Sequence, residues 1–237
     1  ELRDRGHLVK FAVVVFPGSN CEHDTFHVLK NILNQEVIYS WHRDTDLQEA
    51  DAVILPGGFA YGDHLRCGAI AKFSPVMTAV QEFAAQGRPV IGICNGFQIL
   101  CEAGLLPGVL RRNRNLEFRC QWANLLTERT DTPFTLSCRP GQVLKVPVSH
   151  GEGNYYAAES TVTQLEAEGR ILFRYCQVTG EVTDLANPNG SVHNIAGILN
   201  QRGNVLGMMP HPERSCEALL GSADGNLIFQ SIIDSCK

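Results

Sequence analysis

With 237 residues, 44% apolar and 19% charged, the chain suits one large α/β domain that buries a full core without covalent staples. A net charge of −5 and the lack of any basic cluster argue against a nucleic-acid surface. The apolar runs, residues 11–16 among the longest, fall far short of the roughly 20 residues that span a bilayer. The nine cysteines form no regular framework and no C-x-x-C pair, and no secretory leader is evident, so the sequence predicts reduced thiols, a cytoplasmic setting and no metal site.

Residues 1–9 are charged and aperiodic and read as an extension outside the fold. Residues 10–16 form a β-branched run that predicts a buried parallel strand ending at Pro17-Gly18-Ser19-Asn20. A helix follows to Leu33, with Phe26, Leu29 and Leu33 beside Val28 and Ile32 as its apolar stripes. Residues 37–41 and 51–55 are the next strands, the second closed by Pro56-Gly57-Gly58-Phe59. This order opens a doubly wound sheet, in which ligands sit beyond the carboxyl ends of the strands.

Residues 69–86 read as helix with a break at Ser74-Pro75, and residues 90–93 as the strand leading to Cys94. From 124 to 148 the pattern turns to short alternating segments, 134–138 and 143–148, which predict antiparallel strands at one edge. A polar loop at 149–154, a helix at 160–168 and a strand at 171–178 precede the turn Asn187-Pro188-Asn189-Gly190. Two further strands, 195–200 and 205–209, run into Pro210-His211-Pro212-Glu213, and a helix over 224–235 closes the chain. The fold class expected is α/β: one domain over residues 10–237, a doubly wound, mostly parallel sheet flanked by helices, with an appended antiparallel edge sheet.

The segment Val90-Ile91-Gly92-Ile93-Cys94-Asn95-Gly96-Phe97-Gln98 has the spacing of a nucleophile elbow with sulfur in place of oxygen. Flanking glycines permit a sharp strand-to-helix turn that holds the nucleophile in a strained conformation. The helix start aims unpaired N–H groups at the sulfur, which favours the thiolate, and offers the N–H of Asn95 to an oxyanion.

A thiol nucleophile needs a base, and the base needs an orienting group. His211 follows an apolar strand at the same sheet edge, and Pro212 favours an extended backbone that turns His211 and Glu213 to one side. The other histidines are less suited. His7, His23, His27, His42 and His64 read as surface residues, while His150 and His193 sit in loops that could line a site. The side-chain-free turn at Gly57 and Gly58 can bring an N–H close to a substrate oxygen.

These segments together resemble the signatures of the class I (triad) glutamine amidotransferases. More narrowly, the resemblance is to the glutaminase subunits of phosphoribosylformylglycinamidine synthases, from Lys10 onward. It rests on FPGSNCEHD (16–24), PGGFAYGDHLRCGAIA (56–71), GICNGFQIL (92–100), HGEGNYY (150–156), NPNGSVHNIAGI (187–198) and GNVLGMMPHPER (203–214). One departure is Tyr61-Gly62-Asp63-His64, where that family more often has a second tyrosine in place of His64.

The resemblance implies that Cys94 attacks the side-chain amide of glutamine, releases ammonia and leaves a γ-glutamyl thioester for water. His211 is then base and acid, and Glu213 its orienting partner. The oxyanion is held by the N–H of Asn95 and one from Gly58 or Phe59, and glutamine is contacted by Gly57, Gly58, Gln98 and Asn194. The chain itself needs no cofactor, since ATP and Mg belong to a large synthetase subunit, and a small accessory subunit completes the complex. Ammonia made in open solvent would be lost, so the loops at 61–66 and 150–156 are the expected partner contacts.

Two other readings stand beside this one. An elbow-cysteine hydrolase or chaperone-like protein of the same fold would usually lack the carboxylate at Glu213. A non-catalytic glutamine-binding regulatory subunit would need none of Cys94, His211 and Glu213.

Overall fold

The computed structural model describes residues 8–237. The strands are β1 (Lys10–Val15), β2 (Glu36–Trp41), β3 (Ala52–Leu55), β4 (Val90–Ile93), β5 (Val109–Arg111), β6 (Arg119–Thr127), β7 (Val143–His150), β8 (Asn154–Tyr156), β9 (Ile171–Cys176), β10 (Ile195–Leu199) and β11 (Val205–Met208). The α-helices are α1 (Glu22–His27), α2 (Pro75–Ala85), α3 (Asn95–Glu102), α4 (Glu159–Ala167) and α5 (Gly225–Ser235). No helix among the described residues is long and apolar enough to cross a membrane.

Nine strands form one sheet in the order β2-β1-β3-β4-β11-β10-β9-β6-β7, and β5 pairs with β8 in a separate ribbon. From β2 to β11 every pairing is parallel. From β11 to β7 every pairing is antiparallel, so the edge strands expected from the alternating pattern continue the main sheet. The central strands β3, β4 and β11 are buried along their whole length, which is why they read as unbroken apolar runs rather than alternating ones.

Helix α3 lies unusually close to the sheet, and glycines allow it. A Cβ at Gly92 would stand 2.5 Å from Leu100 Cδ1 and 2.6 Å from the Gly96 carbonyl oxygen. One at Gly96 would collide with the Leu55 carbonyl, and one at Gly207 with the Phe97 ring. The elbow glycines therefore serve close helix–strand packing. The positive φ belongs to Cys94 itself, at φ 52 and ψ −104. For a residue with a side chain that conformation is strained, and it persists because both neighbours are locked in place.

Several sequence expectations change. Of the supposed extension, residues 1–7 and with them His7 lie outside the described residues, but Val9 is fully buried and its N–H donates to Gln35 Oε1 at 3.0 Å. Residues 134–138 are turns rather than a strand. Thr132 Oγ1 accepts the Phe134 N–H, and the Thr132 and Thr135 carbonyls accept the N–H groups of Thr135 and Cys138, which closes the backbone on itself. The strand that replaces it, β6, begins at Arg119, where exposed polar residues disguise it. His42 is buried rather than superficial, with Nδ1 2.6 Å from the Tyr61 hydroxyl. All nine cysteines are free.

Candidate active site

Cys94 stands at the tip of β4, its N–H given to the Met208 carbonyl at 2.8 Å, so the elbow is fastened to the end of β11. Met209 and Pro210 carry the chain on from β11 to His211, whose N–H donates to the Pro147 carbonyl of β7 at 2.8 Å. Two parallel neighbours thus deliver nucleophile and base to one edge of the sheet. His211 is 1% exposed and Glu213 3%, and His211 Nδ1 lies 2.6 Å from Glu213 Oε1. That bond fixes the ring and leaves Nε2 toward the thiol.

Burial alone would strip the proton from His211, but the Glu213 carboxylate, and after it the Cys94 and Cys21 sulfurs, outweigh it and hold the imidazole well above its ordinary pKa. Nε2 nevertheless has no partner with hydrogen-bond geometry among the described residues, so the ring is poised toward the cleft rather than consumed. His150 is the contrast. Burial, and then the charge on His211, push it down to about 3, so it is neutral, with Nε2 engaged by Asn189 Nδ2 at 2.9 Å.

The turn after β3 separates two oxyanion candidates. The Phe59 N–H donates to the Gly18 carbonyl at 2.9 Å and is spent. No acceptor among the described residues takes the N–H of Gly58 or of Asn95. The Gly57 carbonyl accepts from Asn20 and Cys21, which pins the turn with the Gly58 amide free. Gly58 has φ 143, and a Cβ there would stand 2.6 Å from Asn20 N, so only glycine fits.

Around the elbow runs one chain of amides. The Asn95 side chain accepts the Ala60 N–H at 3.0 Å and donates to Gln98 Oε1 at 2.9 Å, and Gln98 Nε2 donates to the Glu152 carbonyl at 2.7 Å. It ties α3 to the loops at 60–63 and 150–153. The cleft above Cys94, about 270 Å³, is lined by Gly58, Phe59, Gln98, His150, Glu152 and His211 among others. Gly57 lies beneath it, between His211 and Cys94.

Asn194 is not brought to the cleft. Its Nδ2 donates to the Tyr175 and Thr183 carbonyls at 3.0 and 2.7 Å, so it is a backbone clamp behind β9. His193 is also elsewhere, paired with Glu166 at 2.8 Å on the surface. Conversely, Cys21, Asp63, Cys67 and Arg214 line the cleft: their motifs carry the resemblance, but the sequence assigns none of them a site role, and Asp63 only a place in the partner-contact loop 61–66. For Cys21 the signals were its place in the 16–24 motif and just past β1, at the edge where the ligands of a doubly wound sheet gather. Asp63 and Glu152 face the same space, and Cys67 donates to Glu152 Oε2 at 3.3 Å. Burial, followed by the two carboxylates, drives the Cys67 thiol far up.

Residues 8–226 match the model of the CobB/CobQ-like glutamine amidotransferase domain. A phosphoribosylformylglycinamidine synthase subunit PurQ from Moorella thermoacetica is 59% identical over 95% of this chain and 96% of its own length. The PurQ subunit from Gloeobacter violaceus is 55% identical over 96% and 98%. A chain in the structure of PurLQS from Thermotoga maritima superposes with a TM-score of 0.87 at 41% identity, over 98% of this chain and all of that one. With the elbow, the His211–Glu213 pair and a match over nearly the whole length, the chain belongs to the glutamine amidotransferase family.

Proposed function

We propose that this chain is the glutaminase subunit of a phosphoribosylformylglycinamidine synthase, with Cys94, His211 and Glu213 as its catalytic residues. The observation that carries the reading is the buried 2.6 Å His211–Glu213 pair set against a strained cysteine, in a chain 55–59% identical to PurQ subunits over almost its full length.

His211 takes the proton of the Cys94 thiol, and the sulfur attacks the γ-carboxamide carbon of glutamine. The oxygen that gains charge meets the free N–H groups of Gly58 and Asn95, each worth about 3 to 4 kcal/mol in the transition state. His211, kept protonated by Glu213, gives its proton to the leaving nitrogen and ammonia departs. The neutral imidazole then takes a proton from the water that opens the thioester to glutamate, and returns it to the departing sulfur as the thiol. Gln98 stands at the cleft wall with its amide held in place, and the carboxylates of Asp63 and Glu152 offer partners to the substrate's α-ammonium group.

Ammonia goes to a synthetase partner that consumes ATP, and a small third subunit completes the complex. The loops at 61–66 and 150–156 rim the cleft, and the exposed Leu65, Leu116 and Phe118 beside them supply apolar surface for docking. Cys94→Ala tests the function. Reconstituted with the synthetase, it is expected to lose glutamine-dependent synthesis and keep ammonia-dependent synthesis, and no γ-glutamyl adduct should appear by intact mass. Retention of glutamine-dependent synthesis would refute the role of the sulfur.

A further inference from the structure

Cys21 forms and breaks no bond in the reaction just described, yet it stands in its midst. It reaches the cleft from the turn after β1, while Cys94 comes from β4 and His211 from the segment after β11. Cys21, His211 and Glu213 each bring a ligand atom to within 4.8 Å of one another, and all three are buried. Cys94 stands on the same floor. A Cβ on Gly57 would be 2.8 Å from His211 Cε1, 3.1 Å from Cys21 Sγ and 3.4 Å from Cys94 Cβ, so the three side chains converge over one glycine. His211 Nε2 is buried with no hydrogen-bond partner among the described residues.

We infer that Cys21 Sγ, Cys94 Sγ and His211 Nε2 form an inhibitory site for a thiophilic divalent cation of the zinc class. Two thiolates and an imidazole are the donors such an ion prefers, and three protein ligands leave its fourth position to water. Glu213 already holds Nδ1, as the carboxylate behind a metal-bound histidine does. The charge also closes: two thiolates and Glu213 balance the cation and the Arg214 guanidinium, whose Nη2 donates to Cys21 Sγ at 3.1 Å. On binding, the Cys21 thiol proton and the proton shared between Cys94 and His211 Nε2 leave to solvent. With its nucleophile and base both ligated, the enzyme is silenced until the ion is withdrawn. The absence of closely spaced cysteine pairs hid this set, because its members come from three distant segments.

The test titrates Zn²⁺ into the full-length chain against a chromophoric chelator, records the Co²⁺ spectrum, and follows glutaminase inhibition in the synthetase complex. Wild type is expected to take up one ion, with a thiolate-to-cobalt charge-transfer band and tetrahedral d–d bands. Cys21→Ser and Cys21→Ala should lose about half of that band, and weaken zinc binding and inhibition, each taken relative to the variant's own metal-free rate, by about tenfold or more. Cys67→Ser, altered in the same cleft but outside the set, should change neither. A cobalt adduct without thiolate absorption, inhibition undiminished in both Cys21 variants, or loss of binding in Cys67→Ser instead would overturn the assignment. The spectrum needs no glutamine turnover, so its outcome stands apart from that of the glutaminase reading.

Discussion

Gly57→Ala separates positioning from folding more cleanly than any change to the reacting groups. The added methyl would meet His211 Cε1 at 2.8 Å, about 0.6 Å inside the 3.4 Å at which ordinary contact begins. It would press less hard on Cys21 and only touch Cys94. Gly57 has an ordinary φ, so no backbone strain is added, and the ring must give way. His211 is buried and anchored by Glu213, so the displacement is taken directly at Nε2. A 1 Å misplacement of a reacting group can cost about 10²-fold, so a shift of this size should lower kcat by about 10- to 10²-fold. Overpacking should reduce stability by about 1 to 3 kcal/mol. Gly58→Ala is the control, because its Cβ meets backbone that cannot swing aside, at a φ of 143, and its loss should be dominated by destabilisation. The assay is steady-state glutaminase kinetics in the synthetase complex beside thermal unfolding. A Gly57→Ala enzyme of normal kcat, or one whose deficit follows its unfolded fraction, would refute the placement of His211 over this glycine.

Two further outcomes follow from the charges at the site. Glu213→Gln removes the leading support for the His211 proton and leaves burial unopposed by a carboxylate, so the alkaline limb of the glutaminase pH profile should move to lower pH and kcat fall by about 10²- to 10⁴-fold. Since the folded-state pKa of His211 is raised above its ordinary 6.5, the pair's contribution to stability is full below that value and is lost as pH rises through the folded one, and unfolding measured across pH should show this dependence vanish in the variant. Asp63 is pushed up by burial and lines the cleft, and Asp63→Asn should raise KM for glutamine about tenfold with little effect on kcat; an unchanged KM would remove Asp63 from substrate binding.

The parallel half of the sheet could be read from the sequence because its strands are buried on both faces and need an unbroken apolar run. The place of Cys94 and the His-Pro-Glu segment followed from the same topology, since both begin where such strands end. What could not be read depended on contacts between distant segments. The first is the purpose of the elbow glycines, which the motif assigns to a turn and the fold assigns to packing α3 against Leu55 and the sheet. The second is the identity of the oxyanion donor. Gly58 and Phe59 are adjacent and equivalent in sequence, and only pairing with residues 18–20 consumes one amide and frees the other. Asn194 shows the reverse, a motif asparagine whose donor group is wholly taken by two carbonyls that no local pattern brings near it. Cys21 belongs with these. In the sequence it is one of nine thiols, at the start of an ordinary helix, and it gains a chemical role only when β1, β4 and β11 are brought into one sheet and place it over the same glycine as the nucleophile and the base.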